Sequence, residues 1–277
     1  MSPTYNKMWL GTELYSGSFG KRYTYTDLKT IVDYCADVGL NKIDTAECYG
    51  NEPPVEEMLG AALFGKREKF IIATKFGHHY ENGQKVENFS LPFVRKQLET
   101  SLKKLKTDFI DIYYFHSGGN EGFENDELWG FLNGMKKKGV IRELGLSLKH
   151  SLVIDKDNKQ IDKAKDYGVT IVQTVLNLFS QQSLEYVIPF CKLNGIKVLG
   201  RMPLAKGLLS GKYTKDHKFD DTDQRSTNRS LFQTIIVSHQ DVTVKEALVW
   251  SKNNVDEIVV GSKNINQLEE NFYLLNN

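Results

Sequence analysis

The chain has 277 residues, and its 36 Lys and Arg side chains nearly balance 35 Asp and Glu, which gives a formal net charge of +1. Hydrophobic residues make up 40% and charged residues 26%, a composition that argues against disordered and coiled-coil proteins. The length allows two average domains or one large one, and the balanced charge provides no long-range attraction to nucleic acid or acidic membranes.

The sequence carries no targeting signal or disulfide pattern. The N-terminal MSPTYNKMWL lacks the basic and apolar segments of a secretory signal, and no apolar run approaches the roughly 18 residues of a spanning helix. Cys35, Cys48 and Cys191 are odd in number and form no CxxC, so they predict neither disulfides nor a zinc site. We expect a soluble cytoplasmic protein with no metal and no nucleic-acid or membrane partner.

The first predicted helix begins at Thr24, which forms a capping box with Asp27. Gly39 ends it, since glycine readily adopts the positive φ that follows a helix. One face is apolar at helical spacing: Leu28, Ile31, Val32, Cys35 and Val38. Further helices are predicted from Ser90, from Asp126 to Gly139, over 161–167 and over 184–193.

Short β-branched runs alternate with these helices. Several are nearly continuous in apolar residues, which is typical of parallel strands covered on both faces. There are eight: KMWLGT, NKIDTA, FIIATKF, FIDIYYF, RELGLS, TIVQTVL, KVLGRM and EIVVGS. Eight βα units in about 250 residues predict a single (β/α)8 TIM barrel spanning 1–277, with the active site at the C-terminal ends of the strands. A doubly wound sheet is the alternative, but the first strand-to-helix turn, LGTELYSGSFG, lacks the GxGxxG of a dinucleotide site.

Four chemically capable side chains stand at or just after predicted strand ends: Asp44, Tyr49, Lys75 and His116. Taken singly, each has an ordinary structural explanation, such as a capping carboxylate or a solvated lysine at the rim. Together they form a pattern, because a lysine ending an apolar strand needs a counter-charge, which Asp44 can supply. A nearby cation should lower the pKa of the Tyr49 phenol from about 10, which would make it a usable general acid.

Longer segments resemble the aldo-keto reductase family. The matching segments are IDTAECYG, ATKFG, SLKKLKTDFIDIYYFH, KKKGVIRELGLS and IVVGSKNINQLEEN. They occur in order and span most of the chain. The resemblance implies a nicotinamide-dependent carbonyl reductase on a (β/α)8 barrel.

By that resemblance the catalytic residues are Asp44, Tyr49, Lys75 and His116. Hydride passes from C4 of the nicotinamide to the carbonyl carbon of a small-molecule substrate, and Tyr49 donates the proton. Lys75 lowers the pKa of Tyr49, Asp44 holds Lys75, and His116 orients the carbonyl oxygen.

The resemblance also implies a cofactor groove. Thr12, Ser147 and Gln173 are the predicted contacts on the nicotinamide side, although Gln173 has the alternative of a polar plug in the barrel. The segment PLAKGLLSGKY is the predicted pyrophosphate loop, in which the contacts are Pro203, Leu204, Gly207, Leu208 and Lys212. The adenosine end is assigned to Gly261, Ser262, Lys263, Gln267, Glu270 and Asn271.

Ser262 and Lys263 suit a 2′-phosphate, so NADPH (NADP+) is preferred over NADH. Gln267 stands where relatives frequently have arginine, which weakens that preference.

The sequence also departs from its relatives at two cofactor contacts, and it says less about the substrate side. Leu176 is expected where many relatives stack an aromatic ring on the nicotinamide, and Leu148 replaces an asparagine. Phe123 is a candidate pocket residue, whereas His78, His79 and Tyr80 are expected in a loop without a catalytic role. The chain ends six residues after Asn271, which predicts an open mouth and either broad substrate range or a site completed by a partner.

Other functions stay open at this point. One is oxidation of a sugar or polyol alcohol, or a reductive step on a deoxysugar. Another, of a different class, is a cofactor-bound redox-sensing regulatory subunit. We expect a monomer or a small homo-oligomer.

Overall fold

The computed structural model describes residues 6–50, 52–153 and 159–276. Its strands are β1 Met8–Gly11, β2 Lys42–Asp44, β3 Ile71–Phe76, β4 His78–Glu81, β5 Gln84–Glu87, β6 Ile110–His116, β7 Ile141–Ser147, β8 Val169–Val175, β9 Lys197–Arg201 and β10 Glu257–Gly261. Its helices are α1 Tyr25–Val38, α2 Val55–Ala62, α3 Leu91–Leu105, α4 Asn120–Phe123, α5 Asp126–Lys137, α6 His150–Val153, α7 Lys159–Lys163, α8 Val187–Leu193, α9 Arg229–Ser238, α10 Val244–Asn254 and α11 Ile265–Asn276.

Eight parallel strands close into a barrel in the order β1-β10-β9-β8-β7-β6-β3-β2. The barrel closes where Met8–Gly11 pairs with Ile258–Gly261. This confirms the predicted (β/α)8 barrel and excludes the doubly wound sheet, and all eight predicted strands are present. That the whole chain 1–277 forms one domain stays a prediction. None of the helices in the described ranges combines the length and hydropathy needed to cross a bilayer, and the cellular location stays a prediction.

The helix predictions hold best where caps are strong. Thr24 and Asp27 form the predicted capping box of α1, and the Gly39 N–H donates to the Cys35 carbonyl at a φ of 75°. Helices α3 and α5 also lie where predicted. Helix α7 is shorter than the predicted 161–167, and α8 begins three residues after the predicted Leu184, because short turns replace regular helix there.

The hydrophobic core has two layers, because alternate residues of each strand point to opposite faces of the barrel wall. On β6, Tyr113 and Phe115 pack outward under the helices, whereas Ile112 and Tyr114 fill the barrel interior. At the N-terminal end of the barrel the buried Glu257 carboxylate pairs with Lys42 at 2.6 Å and Lys197 at 2.8 Å. The interior is therefore closed at that end, and the cavity opens at the other.

A β-hairpin that the sequence analysis did not predict follows β3. Strands β4 and β5 pair antiparallel, from His78 opposite Glu87 to Glu81 opposite Gln84. Asn82 and Gly83 make the two-residue turn with positive φ angles of 50° and 77°. An Asn-Gly pair is the strongest short-range signal for such a turn, so the segment containing His78, His79 and Tyr80 was predictable as a hairpin.

Helices α2 and α3 lie so close at Gly60 that a larger residue there should destabilise the protein. An added Cβ at Gly60 on α2 would lie 2.1 Å from the Lys104 carbonyl oxygen of α3, so Gly60→Ala must push the two helices apart. We expect a loss of about 2 kcal/mol in the free energy of unfolding. Gly130→Ala on α5 is the control, because nothing lies within 4 Å of its added Cβ, and it should be neutral or stabilising. Urea unfolding measures both, and equal effects of the two substitutions would contradict this account.

Candidate active site

The Lys75 ammonium is the centre of the site at the C-terminal ends of β2 and β3. Its side chain is 1% exposed, and Nζ donates to Asp44 Oδ1 at 2.7 Å and to the Thr45 carbonyl oxygen at 2.7 Å. A third, longer hydrogen bond of 3.4 Å reaches the Tyr49 hydroxyl. The structure therefore brings Asp44, Tyr49 and Lys75 together as predicted, with the buried cation paired.

Asp44 is in turn held from three other strands. Gln173 of β8 donates through Nε2 to Asp44 Oδ2 at 2.7 Å, and Ser147 of β7 donates to Gln173 Oε1 at 3.2 Å. Thr12, just after β1, donates through Oγ1 to the Asp44 carbonyl oxygen at 3.0 Å. Both carboxylate oxygens are thus occupied, so the position of Asp44 is determined by the barrel itself.

The predicted lowering of the Tyr49 pKa by Lys75 is wrong in direction. Burial raises the pKa of Tyr49 well above its usual value, and the neighbouring Glu13 and Asp44 carboxylates raise it further. Arg201 opposes them with a smaller effect. Tyr49 therefore holds its proton at neutral pH, and releasing that proton requires stabilisation of the phenolate.

His116, the last residue of β6, is neutral because burial lowers its pKa well below the usual value, with Lys75 next in effect. Its ring lies edge-on to the Tyr49 ring, with centroids 6.3 Å apart. The Cys48 sulfur lies 3.8 Å from Nδ1, and burial raises the pKa of this thiol to about 11. A protonated thiol donates to Nδ1, which leaves the ring proton on Nε2 as a hydrogen-bond donor.

A cavity of about 800 Å³ opens above these residues, and every strand of the barrel except β3 contributes to its lining. Asp44, Tyr49 and His116 reach its surface, and Lys75 lies behind them. Ten of the predicted cofactor residues also line it: Ser147, Gln173, Pro203, Leu204, Gly207, Leu208, Lys212, Gly261, Lys263 and Gln267.

Four predicted cofactor residues do not line the cavity. Thr12 is buried and holds Asp44, so its side chain has a structural use. Ser262 is fully buried and accepts a hydrogen bond from Asn271 Nδ2 at 3.1 Å, so this pair fastens β10 to α11. Glu270 is exposed on α11, away from the cavity lining.

Two expectations need correction, one for the cofactor and one for the substrate. Leu176 is fully buried in the outer core and does not line the cavity, and Leu148, which lacks the amide of an asparagine, is buried there too. Phe123 is buried against Phe115 and Trp129 with ring centroids 5.2 Å away from each, and it does not line this cavity. The residue facing the cavity at the end of β9 is Arg201, which donates to the Leu148 carbonyl oxygen at 3.0 Å.

The lining is strongly cationic. Six Lys or Arg residues line it: Lys85, Arg201, Lys206, Lys212, Arg225 and Lys263. The carboxylates of the lining are Glu13 and Asp44, of which Asp44 is paired with Lys75. Sequence reasoning missed Glu13, Lys85, Arg201 and Lys206, although Arg201 is the last residue of a barrel strand and could have been found there. The donor set suits a long anionic ligand with an amide at one end, and so fits a nicotinamide dinucleotide.

A cavity with a cationic lining and a phenol at its surface, in the mouth of a (β/α)8 barrel, suits an oxidoreductase that works with a dinucleotide cofactor. Sequence comparison identifies the family. The model of the aldo/keto reductase family matches residues 7–277, and the chain belongs to this family. It is an NAD(P)H-dependent oxidoreductase.

Individual relatives and a solved structure agree with this family assignment. The chain is 27% identical to the uncharacterized oxidoreductase YqkF of Bacillus subtilis over 89% of its own length and 81% of that protein. It is 29% identical to the aldo-keto reductase yakc [NADP(+)] of Schizosaccharomyces pombe, over 88% and 76%. The structure of the glycerol dehydrogenase AKR11B4 from Gluconobacter oxydans superimposes with a TM-score of 0.80 at 25% identity, covering 97% of this chain and 86% of that one.

A buried carboxyl supports the strand that carries Lys75. Glu56 of α2 is fully buried, and its Oε1 accepts a hydrogen bond of 2.6 Å from Thr74, the neighbour of Lys75. Burial raises the pKa of Glu56 from 4.5 to about 7.

Because the folded state holds this proton more tightly, the contribution of Glu56 to stability is complete below pH 4.5 and is lost as the pH rises through 7. Relative to Glu56→Gln, which cannot ionise, the wild type should lose about 3 kcal/mol of unfolding free energy across that window. Glu57→Gln, on the exposed neighbour, should keep the wild-type pH profile. Unfolding in urea as a function of pH tests this, and parallel profiles for wild type and Glu56→Gln would refute it.

Proposed function

We propose that this protein reduces an aldehyde or ketone to an alcohol with NADPH, with Tyr49 as the proton donor. The observation that carries the proposal is a half-buried phenol at the surface of the cavity, hydrogen-bonded to the paired Lys75 ammonium. The edge-on contact with His116 places a second hydrogen-bond donor beside it. A carbonyl oxygen between Tyr49 and His116 would accept a hydrogen bond from each.

A reduced nicotinamide held at Ser147 and Gln173 would supply the hydride for the carbonyl carbon. As negative charge develops on the carbonyl oxygen, Tyr49 transfers its proton there, and neutral His116 stabilises the remaining charge through its N–H. The phenolate that results lies 3.4 Å from the Lys75 ammonium, which makes proton loss from a buried phenol possible. Asp44 and Gln173 keep that ammonium in place throughout.

The predicted cofactor residues differ in the part of the cofactor that their side chains and backbone groups could bind. Ser147 and Gln173 offer an amide-binding pair beside Tyr49, and the loop from Pro203 to Lys212 offers lysines and backbone N–H groups for phosphates. Lys263 stands at the start of α11 near the far end of the cavity, which favours NADPH over NADH. The relative named for NADP(+) supports this preference.

Polyol oxidation is the second candidate, because one similar structure is that of a glycerol dehydrogenase. Reduction needs the phenol form of Tyr49 and oxidation needs the phenolate, and the resting form at neutral pH is the phenol because its pKa is raised. Steady turnover of a generic aldehyde would also distinguish catalysis from a purely regulatory role.

Tyr49→Phe should lower kcat for aldehyde reduction by roughly a hundredfold or more, because the proton donor is lost, and should leave NADPH binding nearly unchanged. Tyr113→Phe is the matched control, since its hydroxyl lies buried outside the cavity without a hydrogen-bond partner in the described structure. NADPH oxidation and cofactor fluorescence titration measure the two quantities. Wild-type turnover in Tyr49→Phe would contradict the assignment of Tyr49 as the proton donor.

Lys263→Ala should raise KM for NADPH about tenfold and change KM for NADH less than twofold, because only NADPH carries the 2′-phosphate. Lys245→Ala, an exposed lysine on α10 away from the cavity, should change neither value. Steady-state kinetics with both cofactors measures the effect. Equal changes for NADPH and NADH would show that Lys263 does not recognise that phosphate.

A further inference from the structure

The β4–β5 hairpin brings a lysine to the side of the cavity opposite the predicted pyrophosphate loop. In the barrel order, β3 lies four strands from β9 in either direction, so the hairpin after β3 stands diametrically opposite the loop of Lys206 and Lys212. Lys85 of this hairpin nevertheless lines the cavity. The cofactor phosphates therefore do not explain this cation.

The pairing register points Lys85 inward. Directly paired antiparallel residues share a face, and Lys85 pairs with Tyr80 while Glu87 pairs with His78. Alternation along each strand puts all four side chains on one face of the hairpin. That face packs on the catalytic histidine, since the rings of His78 and His116 meet edge-on with centroids 4.8 Å apart.

The acidic residues of the hairpin have other partners. Glu87 pairs with Lys149 at 3.1 Å, and Glu81 with the His79 ring at 2.8 Å. The Lys149 pair also fastens the hairpin to the loop after β7, which holds Lys85 over the mouth. No carboxylate in the described ranges forms an ion pair with Lys85, so its charge is available to a ligand.

Other donors surround the same part of the cavity. Ser117 follows β6 and His150 follows β7, and both line the cavity beside the β3 hairpin. Burial lowers the pKa of His150, with Arg201 adding to the effect, so at neutral pH it offers a single neutral N–H. Of the lining carboxylates, Asp44 is neutralised by Lys75, and Glu13 belongs to the loop after β1.

We propose that the carbonyl substrate carries an anionic group, a carboxylate or a phosphate, which Lys85 binds with help from Ser117 and His150 while the carbonyl lies at Tyr49 and His116. This inference rests on the proposed reductase function and adds the substrate class. An exposed flexible lysine contributes modestly through an ion pair, which corresponds to a gain of about fivefold to tenfold in kcat/KM.

The test compares kcat/KM for matched aldehydes with saturating NADPH. The carboxylate pair is succinic semialdehyde against its methyl ester, and the phosphate pair is glyceraldehyde 3-phosphate against glyceraldehyde. The wild type should prefer the anionic member of at least one pair by fivefold or more, and which pair shows the preference identifies the group. Lys85→Gln should remove that preference and leave the neutral aldehydes within twofold, whereas Lys85→Arg should retain it.

Lys138→Gln is the control, because it removes one exposed charge after α5, at the opposite end of the barrel. Lys138→Gln should leave the kcat/KM preference within each pair of aldehydes unchanged. Equal kcat/KM for charged and neutral aldehydes, or a preference that survives Lys85→Gln, would overturn the inference while leaving the reductase function intact. Absence of turnover with all four aldehydes would instead overturn the proposed function, and this inference with it.

Discussion

The buried ammonium group of Lys75 determines how the neighbouring residues of the site are arranged. Lys75 lies in the barrel wall with almost no access to water, and a cation in such a place is tolerated only when it is paired and fully hydrogen-bonded. Asp44 supplies the charge, and the Thr45 carbonyl a further acceptor. Gln173, Ser147 and Thr12 then hold Asp44, so residues from or next to five strands contribute to one hydrogen-bonded network. The position of Lys75 and Asp44 is thus determined by contacts between side chains that several barrel strands bring together.

Burial has a second consequence at Tyr49. Removing a phenol from water disfavours its charged form, and here that effect outweighs the neighbouring cations. The Lys75 ammonium therefore acts on the phenolate formed during proton transfer, while the resting hydroxyl stays protonated. The same reasoning applies to His116, which burial keeps neutral so that it offers an N–H. Both groups suit reduction of a carbonyl.

The overall charge of +1 conceals an uneven distribution. Lysines and arginines line the cavity in excess over carboxylates, as we expected for a cofactor groove. Their arrangement around the barrel is more informative than their number. Lys206, Lys212 and Lys263 follow β9 and β10, whereas Lys85 stands on the opposite side. This arrangement is what the proposed cofactor site and the proposed substrate-anion site would require, with Tyr49 and His116 also lining the cavity.

The amino-acid sequence by itself determined the strands, the strongly capped helices, the barrel and the four residues at the strand ends. These depend on local periodicity, on capping and on the rule that parallel strands present their C-terminal ends at one face. Tertiary structure decided what depends on burial and on the direction of side chains. It gives Tyr49 a raised pKa where we expected a lowered one, places Leu176 and Phe123 in the core, and gives Ser262 and Thr12 structural hydrogen bonds. It also placed Lys85 and Arg201 in the cavity, because distances across a barrel mouth arise only when all eight strands close.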